Sequence, residues 1–155
     1  MRSADPAMKL RIPPPIVTAL CAALMWAAGR YVPLGAFAPQ HGLAIAILVV
    51  ALALMLTAAV QFVQARTTIN PMRPERASQL VTHGVFAVSR NPIYLADLLV
   101  LVAVACWIGH LFAFVGCAVF VAWMNRFQIA PEEAALTRLF GENYVAYCQR
   151  VRRWI

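Results

Sequence analysis

Apolar residues fall into four blocks along this chain, and the stretches between them hold nearly all the charge and much of the proline. The clearest block, Leu43 to Val63, carries no charged side chain, and at about 1.5 Å per residue it matches the roughly 30 Å hydrocarbon core of a bilayer. Ahead of it, Ile16 to Gly29 is a shorter run opened by Pro13-Pro14-Pro15. Proline is tolerated there because the first N–H groups of a helix lack partners anyway. Trp26 and Tyr31 extend this run into an interface. Beyond the clearest block, Ile93 to Ile108 opens at Pro92, and Leu111 to Met124 follows across a tight Gly109-His110 turn. So short a connection makes the last two blocks antiparallel neighbours. The pattern predicts one all-α integral membrane domain over residues 1–155, with four transmembrane helices near 14–30, 43–63, 93–108 and 111–128.

Two polar segments remain, a loop over 64–92 and a tail over 130–155. In the tail, Pro131 and Glu132-Glu133 suit the first turn of a helix, where the macrodipole favours negative charge. Leu136, Leu139 and Phe140 fall at helical spacing, Tyr144, Tyr147 and Val151 continue the stripe, and Arg150, Arg152 and Arg153 close it. This reads as an amphipathic helix, broken near Gly141, lying on the membrane face. With four crossings, the head, the 64–92 loop and the tail share one side, and every Lys and Arg except Arg30 falls there. The positive-inside rule makes that side the cytoplasm, with both termini on it.

Composition sharpens the picture only at its edges. A hydrophobic share of 63% with 12% charged residues is outside the range of soluble domains. The net charge of +7 would suit a nucleic-acid partner, but the basic residues flank apolar blocks instead of forming a basic face with interleaved aromatics, so none is expected. Cys21, Cys106, Cys117 and Cys148 have no metal-ligand spacing, and neither a metal site nor a disulfide is expected. The basic head and first apolar run resemble a signal peptide, but the later spans favour a retained helix. Ala22, Ala23, Ala27 and Gly29 suit close helix contact within one chain or between chains, so the oligomeric state stays open.

The chemistry-bearing stretch is Leu80 to Tyr94, which holds His83, Gly84, an Arg90-Asn91-Pro92 turn and Tyr94 before entering the third apolar block. A plain linker between helices has no need of these residues. Asp97 is the one acid inside a span, where a charge costs about 2.5–3.5 kcal/mol on insertion scales. It either reaches the interface or serves a site in the interior. Taken singly, Glu132-Glu133 reads equally as helix-start charge, Tyr94 as an interfacial aromatic, and Arg126 as a snorkelling anchor.

Taken together these residues form a pattern. Thr67-Thr68-Ile69-Asn70-Pro71, Leu80-Val81-Thr82 with Gly84, and Ser89-Arg90-Asn91-Pro92-Ile93-Tyr94-Leu95 are followed by Arg126-Phe127-Gln128-Ile129 and Pro131-Glu132-Glu133, then by Phe140-Gly141, Tyr144, Tyr147 and Arg153-Trp154. The whole resembles the isoprenylcysteine carboxyl methyltransferase and phospholipid methyltransferase superfamily, from about Gln64 to the C-terminus. That family carries an R-H-P-x-Y segment opening one helix and an E-E pair after the next crossing. The resemblance implies an S-adenosylmethionine-dependent methyltransferase of a bacterial inner membrane, its cofactor bound at the cytoplasmic face and its acceptor a lipid or lipophilic small molecule. It implies that the backbone of Leu80, Val81, Thr82, His83 and Gly84 lines the adenosine side. Arg90, Asn91, Tyr94, Glu132 and Glu133 would complete the cofactor site, with Arg126 and Glu133 as catalytic candidates.

Two departures stand out: Asn91 replaces the family histidine, and Ala96 replaces a glycine often found two residues after the tyrosine. Asn keeps a donor and an acceptor but does not titrate near neutrality, which disfavours proton transfer at that position. The physical logic agrees with the rest. Methyl transfer from a sulfonium is an in-line displacement that rests chiefly on positioning. Carboxylates suit the cofactor's ammonium or ribose diol, arginine suits its carboxylate, and an aromatic suits the sulfonium. The accepting atom is left open among carboxylate oxygen, amine nitrogen and thiol sulfur. Competing readings are a four-helix transporter coupled through Asp97 and a non-catalytic scaffold of the same fold.

Overall fold

The computed structural model describes residues 12–67 and 77–155; the basic head, and with it Thr68 to Pro71, Arg73, Glu75 and Arg76 of the loop, lie outside the described residues. Among the described residues the chain is helical, with no strand beyond an isolated bridge between Ala36 and His110. Four helices stand where the apolar blocks predict them: α1 (Pro14–Tyr31), α2 (His41–Gln64), α3 (Pro92–Ile108) and α4 (Ala113–Trp123). A π-helical segment (Met124–Ile129) joins α4 to α5 (Ala130–Phe140), and α6 (Glu142–Arg150) ends the helical part.

α2 and the continuous Ala113–Phe140 helix are long and apolar enough to cross a membrane, and α3 is a shorter apolar helix. Only 17% of the most apolar window of α2 is buried within the chain. Leu43, Val49, Leu52, Leu56 and Val63 all face outward, a surface that suits hydrocarbon better than water. Hydroxyls in these helices bond within their own turn: Thr18 Oγ1 donates to the Pro14 carbonyl at 3.1 Å and Thr57 Oγ1 to that of Ala53 at 2.7 Å. That is what a polar group in an apolar helix must do.

α3 is the central helix. α2 packs chiefly against it, while α1 lies on α3 and α4. The buried positions of α2 are alanines spaced by seven, Ala44, Ala51 and Ala58, which let two backbones approach closely. The main core is Val17, Cys21 and Met25 of α1, Leu101 and Ala105 of α3, and Cys117, Phe120 and Met124 beyond them.

The α3–α4 turn depends on Gly109, at φ +70°, where an added Cβ would stand 2.5 Å from the Phe37 carbonyl oxygen. The α1–α2 loop is bound to this turn by main-chain bonds: Phe37 N–H to Gly109 O at 2.7 Å, Leu111 N–H to Gly35 O at 2.7 Å and Gln40 N–H to Cys106 O at 2.9 Å. Buried His110 adds a contact from Nε2 to the Val32 carbonyl at 3.1 Å.

The tail departs from expectation. No separate surface helix starts at Pro131, because the fourth helix runs on through it to Phe140. Proline has no N–H to donate, so the carbonyl four residues back loses its α-helical partner. The wider π turn lies immediately before it and takes up that mismatch. The expected break does occur at Gly141.

Candidate functional site

Each functional side chain is placed by the end of an element. Asn91 stands immediately before α3, with Pro92 at the first helical position, and the Asn91 N–H is held by Ser89 Oγ at 3.1 Å. One turn into α3, Tyr94 is buried and donates its hydroxyl to Glu132 Oε2 at 2.8 Å, while accepting from Gln128 Nε2 at 3.2 Å. Gln128 comes from the π turn and Glu132 from the first turn of α5. The motif residues at the start of α3 and those after the fourth apolar block therefore meet through hydrogen bonds.

Beside this chain of bonds lies an ion cluster. Arg153 grips Glu133 with two bonds, Nε to Oε1 at 3.0 Å and Nη2 to Oε2 at 2.6 Å. Arg90 Nη2 stands 3.1 Å from Oε1 of the same carboxylate, and its Nη1 meets Cys148 Sγ. Arg90 and Glu133 are 13% and 19% exposed, so this attraction is only weakly screened.

The extended segment after α6 completes the arrangement by running beside the Arg-Asn-Pro turn. Arg90 N–H donates to the Arg152 carbonyl at 3.0 Å, and Asn91 Nδ2 donates to that of Arg153 at 2.9 Å. Asn125 of the π turn accepts from Trp154 Nε1 at 3.1 Å and from Arg153 Nη1 at 3.4 Å. Tyr147 of α6 donates to the Phe86 carbonyl at 2.6 Å, tying the tail to the 3-10 turn Gly84–Ala87.

Glu132 lies past the apolar part of its helix, which ends by Ala130. Burial pushes its carboxyl up to about 7, against the opposing effect of the Tyr94 hydrogen bond. Glu132 therefore changes charge near neutrality. The Arg153 guanidinium is held above its usual range, chiefly by its hydrogen bonds to Glu133. Burial pushes the Tyr147 hydroxyl up to about 12, so it remains a donor.

Part of this network lines a cavity of about 520 Å³, whose wall does not include Arg153, Asn125 or Gln128. Of the residues expected at the site, Leu80, Val81, Arg90, Asn91, Tyr94, Glu132 and Glu133 line it. Thr82, His83 and Gly84 do not line it. His83 is exposed, and Gly84, at φ +59°, lies so close under the Gln61 side chain that an added Cβ would stand 1.7 Å from the Gln61 amide nitrogen. Arg126 is exposed on the π turn and also lies off the cavity wall. Sequence reasoning missed Arg153, Asn125 and Gln128 as site residues, and the roles of Tyr144 and Tyr147 in the wall. The tyrosines carried a signal in their stripe with Val151; with Val151 they form a small core against Leu80 and Leu136. Among the described residues no cluster of His, Cys, Asp and Glu could hold a metal.

Residues 39–143 match the family model described as phospholipid methyltransferase. The chain is also similar to a protein of Haemophilus influenzae (strain ATCC 51907 / DSM 11121 / KW20 / Rd) described as uncharacterized, at 44% identity over 63 residues, which are 41% of this chain and 100% of that protein. No solved structure matches.

Proposed function

The chain belongs to the phospholipid methyltransferase family, and from that premise we propose that it moves the methyl group of S-adenosylmethionine onto an acceptor resident in the membrane. The observation that carries this reading is the meeting of Tyr94–Glu132 and Arg90–Glu133 on one cavity wall, with Arg153 bonded to Glu133. The cavity volume falls within the roughly 300–1,000 Å³ usual for small-molecule sites.

The residues present fit the cofactor. Glu132 is the carboxylate left for its ammonium or ribose diol, because both oxygens of Glu133 are already held by guanidinium groups. Arg90 has a buried Nε with no hydrogen-bond partner among the described residues, a donor suited to the cofactor's carboxylate. Tyr94, Phe86 and Tyr144 supply aromatic walls for a cationic sulfur. When bound, the cofactor supplies an activated methyl group. The chain's own part is to orient, to desolvate and to hold charge in place. Asn91 serves by bonding the extended segment after α6 instead of moving protons, as its side chain chemistry requires.

In this reading the four helices all cross the bilayer, with the cavity at the cytoplasmic end together with both termini, as the distribution of basic residues favours. The soluble cofactor then arrives from the cytoplasm, and the acceptor enters sideways from the lipid.

The test is calorimetric titration of S-adenosylhomocysteine into the purified chain in nanodiscs, as a function of pH. A carboxyl that ionises at about 7 is neutral below that value and charged above it, and only the charged form attracts a cation. Affinity should therefore rise by about tenfold from pH 6 to pH 8. Glu132→Gln should bind weakly and show a flat profile. Absence of binding to the wild-type chain at every pH would sink the proposal.

A further inference from the structure

Arg153 bonds three separate parts of the molecule at once. Its carbonyl accepts from Asn91 Nδ2, just ahead of α3, at 2.9 Å. Its Nη1 reaches Asn125 Oδ1 of the π turn at 3.4 Å, where Trp154 Nε1 adds a second bond at 3.1 Å. Its Nε and Nη2 hold the two oxygens of Glu133 on α5, at 3.0 and 2.6 Å. Yet Arg153 is no part of the cavity wall, whereas Arg90 and Glu133 both line it. What Arg153 does for a molecule in the cavity therefore passes through Glu133.

Glu133 has two guanidinium neighbours and only two oxygens to share. Arg153 takes both, which leaves Arg90 a single ionic contact, Nη2 to Oε1 at 3.1 Å. An arginine and a carboxylate left to themselves favour two parallel bonds. Without Arg153, Oε2 is free, and Glu133 can turn to give both oxygens to Arg90. That pair would be formally neutral and closed on itself. With Arg153 present, two guanidinium groups stand against one carboxylate, and the cluster keeps a net positive charge. We propose that Arg153 is a positioning residue for methyl transfer: by occupying Glu133 it keeps that carboxylate from capturing Arg90, whose charge stays available to the carboxylate of the methyl donor. The inference rests on the methyltransferase reading and adds to it a residue that lies behind the cavity wall. Lysine would keep the charge at 153 but lacks the planar fork that holds both oxygens.

The experiment measures the affinity of the full chain in nanodiscs for two ligands. One is S-adenosylhomocysteine; the other is 5′-methylthioadenosine, which shares the nucleoside and thioether but has neither the carboxylate nor the ammonium. Arg153→Gln should bind S-adenosylhomocysteine at least about tenfold more weakly, the scale of losing one charge-assisted contact in a desolvated site. Its affinity for 5′-methylthioadenosine should stay within about twofold, since that ligand makes no call on Arg90. Arg153→Lys should fall between wild type and Arg153→Gln, with the same indifference to 5′-methylthioadenosine, and it carries the test where Arg153→Gln does not fold. In a Glu133→Gln background no carboxylate remains to capture Arg90, so adding Arg153→Gln should cost less than about a further twofold. That cycle uses S-adenosylhomocysteine alone and stands however weakly the second ligand binds. Equal weakening for both ligands would make Arg153 a purely structural residue and overturn the assignment. Unchanged S-adenosylhomocysteine affinity in Arg153→Gln would overturn it too, as would the full loss repeated in the Glu133→Gln background. Absence of S-adenosylhomocysteine binding to the wild-type chain would instead overturn the methyltransferase reading, and this inference with it.

Discussion

At the end of the bundle where the α1–α2 loop meets the α3–α4 turn, contact is made by main chain: three backbone hydrogen bonds tie 35–40 to 106–111. At the opposite end, contact is made mainly by side chains, with Tyr94, Glu132, Arg90, Glu133, Asn91 and Arg153 bonded across four segments. Main-chain bonds ask little of residue identity, so the first end needs only a few special positions such as Gly109 and His110. Side-chain bonds name their residues. The second end is also where the cavity lies, and its network holds charges in an orientation that no run of backbone would give. One end closes the fold and the other holds the cavity with its charged network.

The strongest way to break this contrast is Glu133→Ala, which leaves the Arg90 and Arg153 guanidinium groups facing each other. Methyl transfer, measured as kcat/KM with labelled cofactor, should fall by at least about 30-fold, the cost of removing one partner from a desolvated charge pair. Retained turnover would mean that the network is scaffolding only. At the other end, Gly109→Val meets both the positive φ and the Phe37 carbonyl. It should lose about 2–3 kcal/mol, a drop of roughly 4–12 °C in thermal midpoint. The molecules that fold should still bind S-adenosylhomocysteine normally. Weakened binding there would show that the two ends act as one. The smallest effect is expected from Arg126→Ala. This residue is exposed and off the cavity wall, so activity should stay within about twofold, as for most surface substitutions. A large loss would restore Arg126 to the catalytic role that the family resemblance implies.

The helices and much of the site were legible in the sequence for the same reason: uninterrupted apolar blocks leave polar clusters conspicuous between them. Leu80, Val81, Arg90, Asn91, Tyr94 and the glutamate pair stood out on that background, and they converge on one wall. Arg153 did not stand out. Twenty residues separate it from Glu133, and in a run of terminal arginines it looks like any basic anchor. Only the turn at Val151, which aims the chain back beside Asn91, singles it out. The identical dipeptide Glu132-Glu133 concealed a division of labour too, since only geometry distinguishes the carboxyl bonded to Tyr94 from the one gripped by arginines. Pro131 misled because proline marks a helix start and follows a π turn with equal ease. Periodicity sees neither the widened turn nor the continuity across it.

The π turn over Met124–Ile129 has one more consequence. A π segment amounts to a single residue inserted into an α-helix, and each residue advances the helix by about 100°. The insertion therefore sets the phase between the apolar shaft of α4 and the acidic start of α5. Removing one residue from 124–129 would restore ordinary winding and swing Glu132 and Glu133 about a quarter turn or more around the axis. Both carboxylates would then leave their partners, although neither glutamate had been altered. A one-residue deletion within the π turn would act as an angular dial on the whole site.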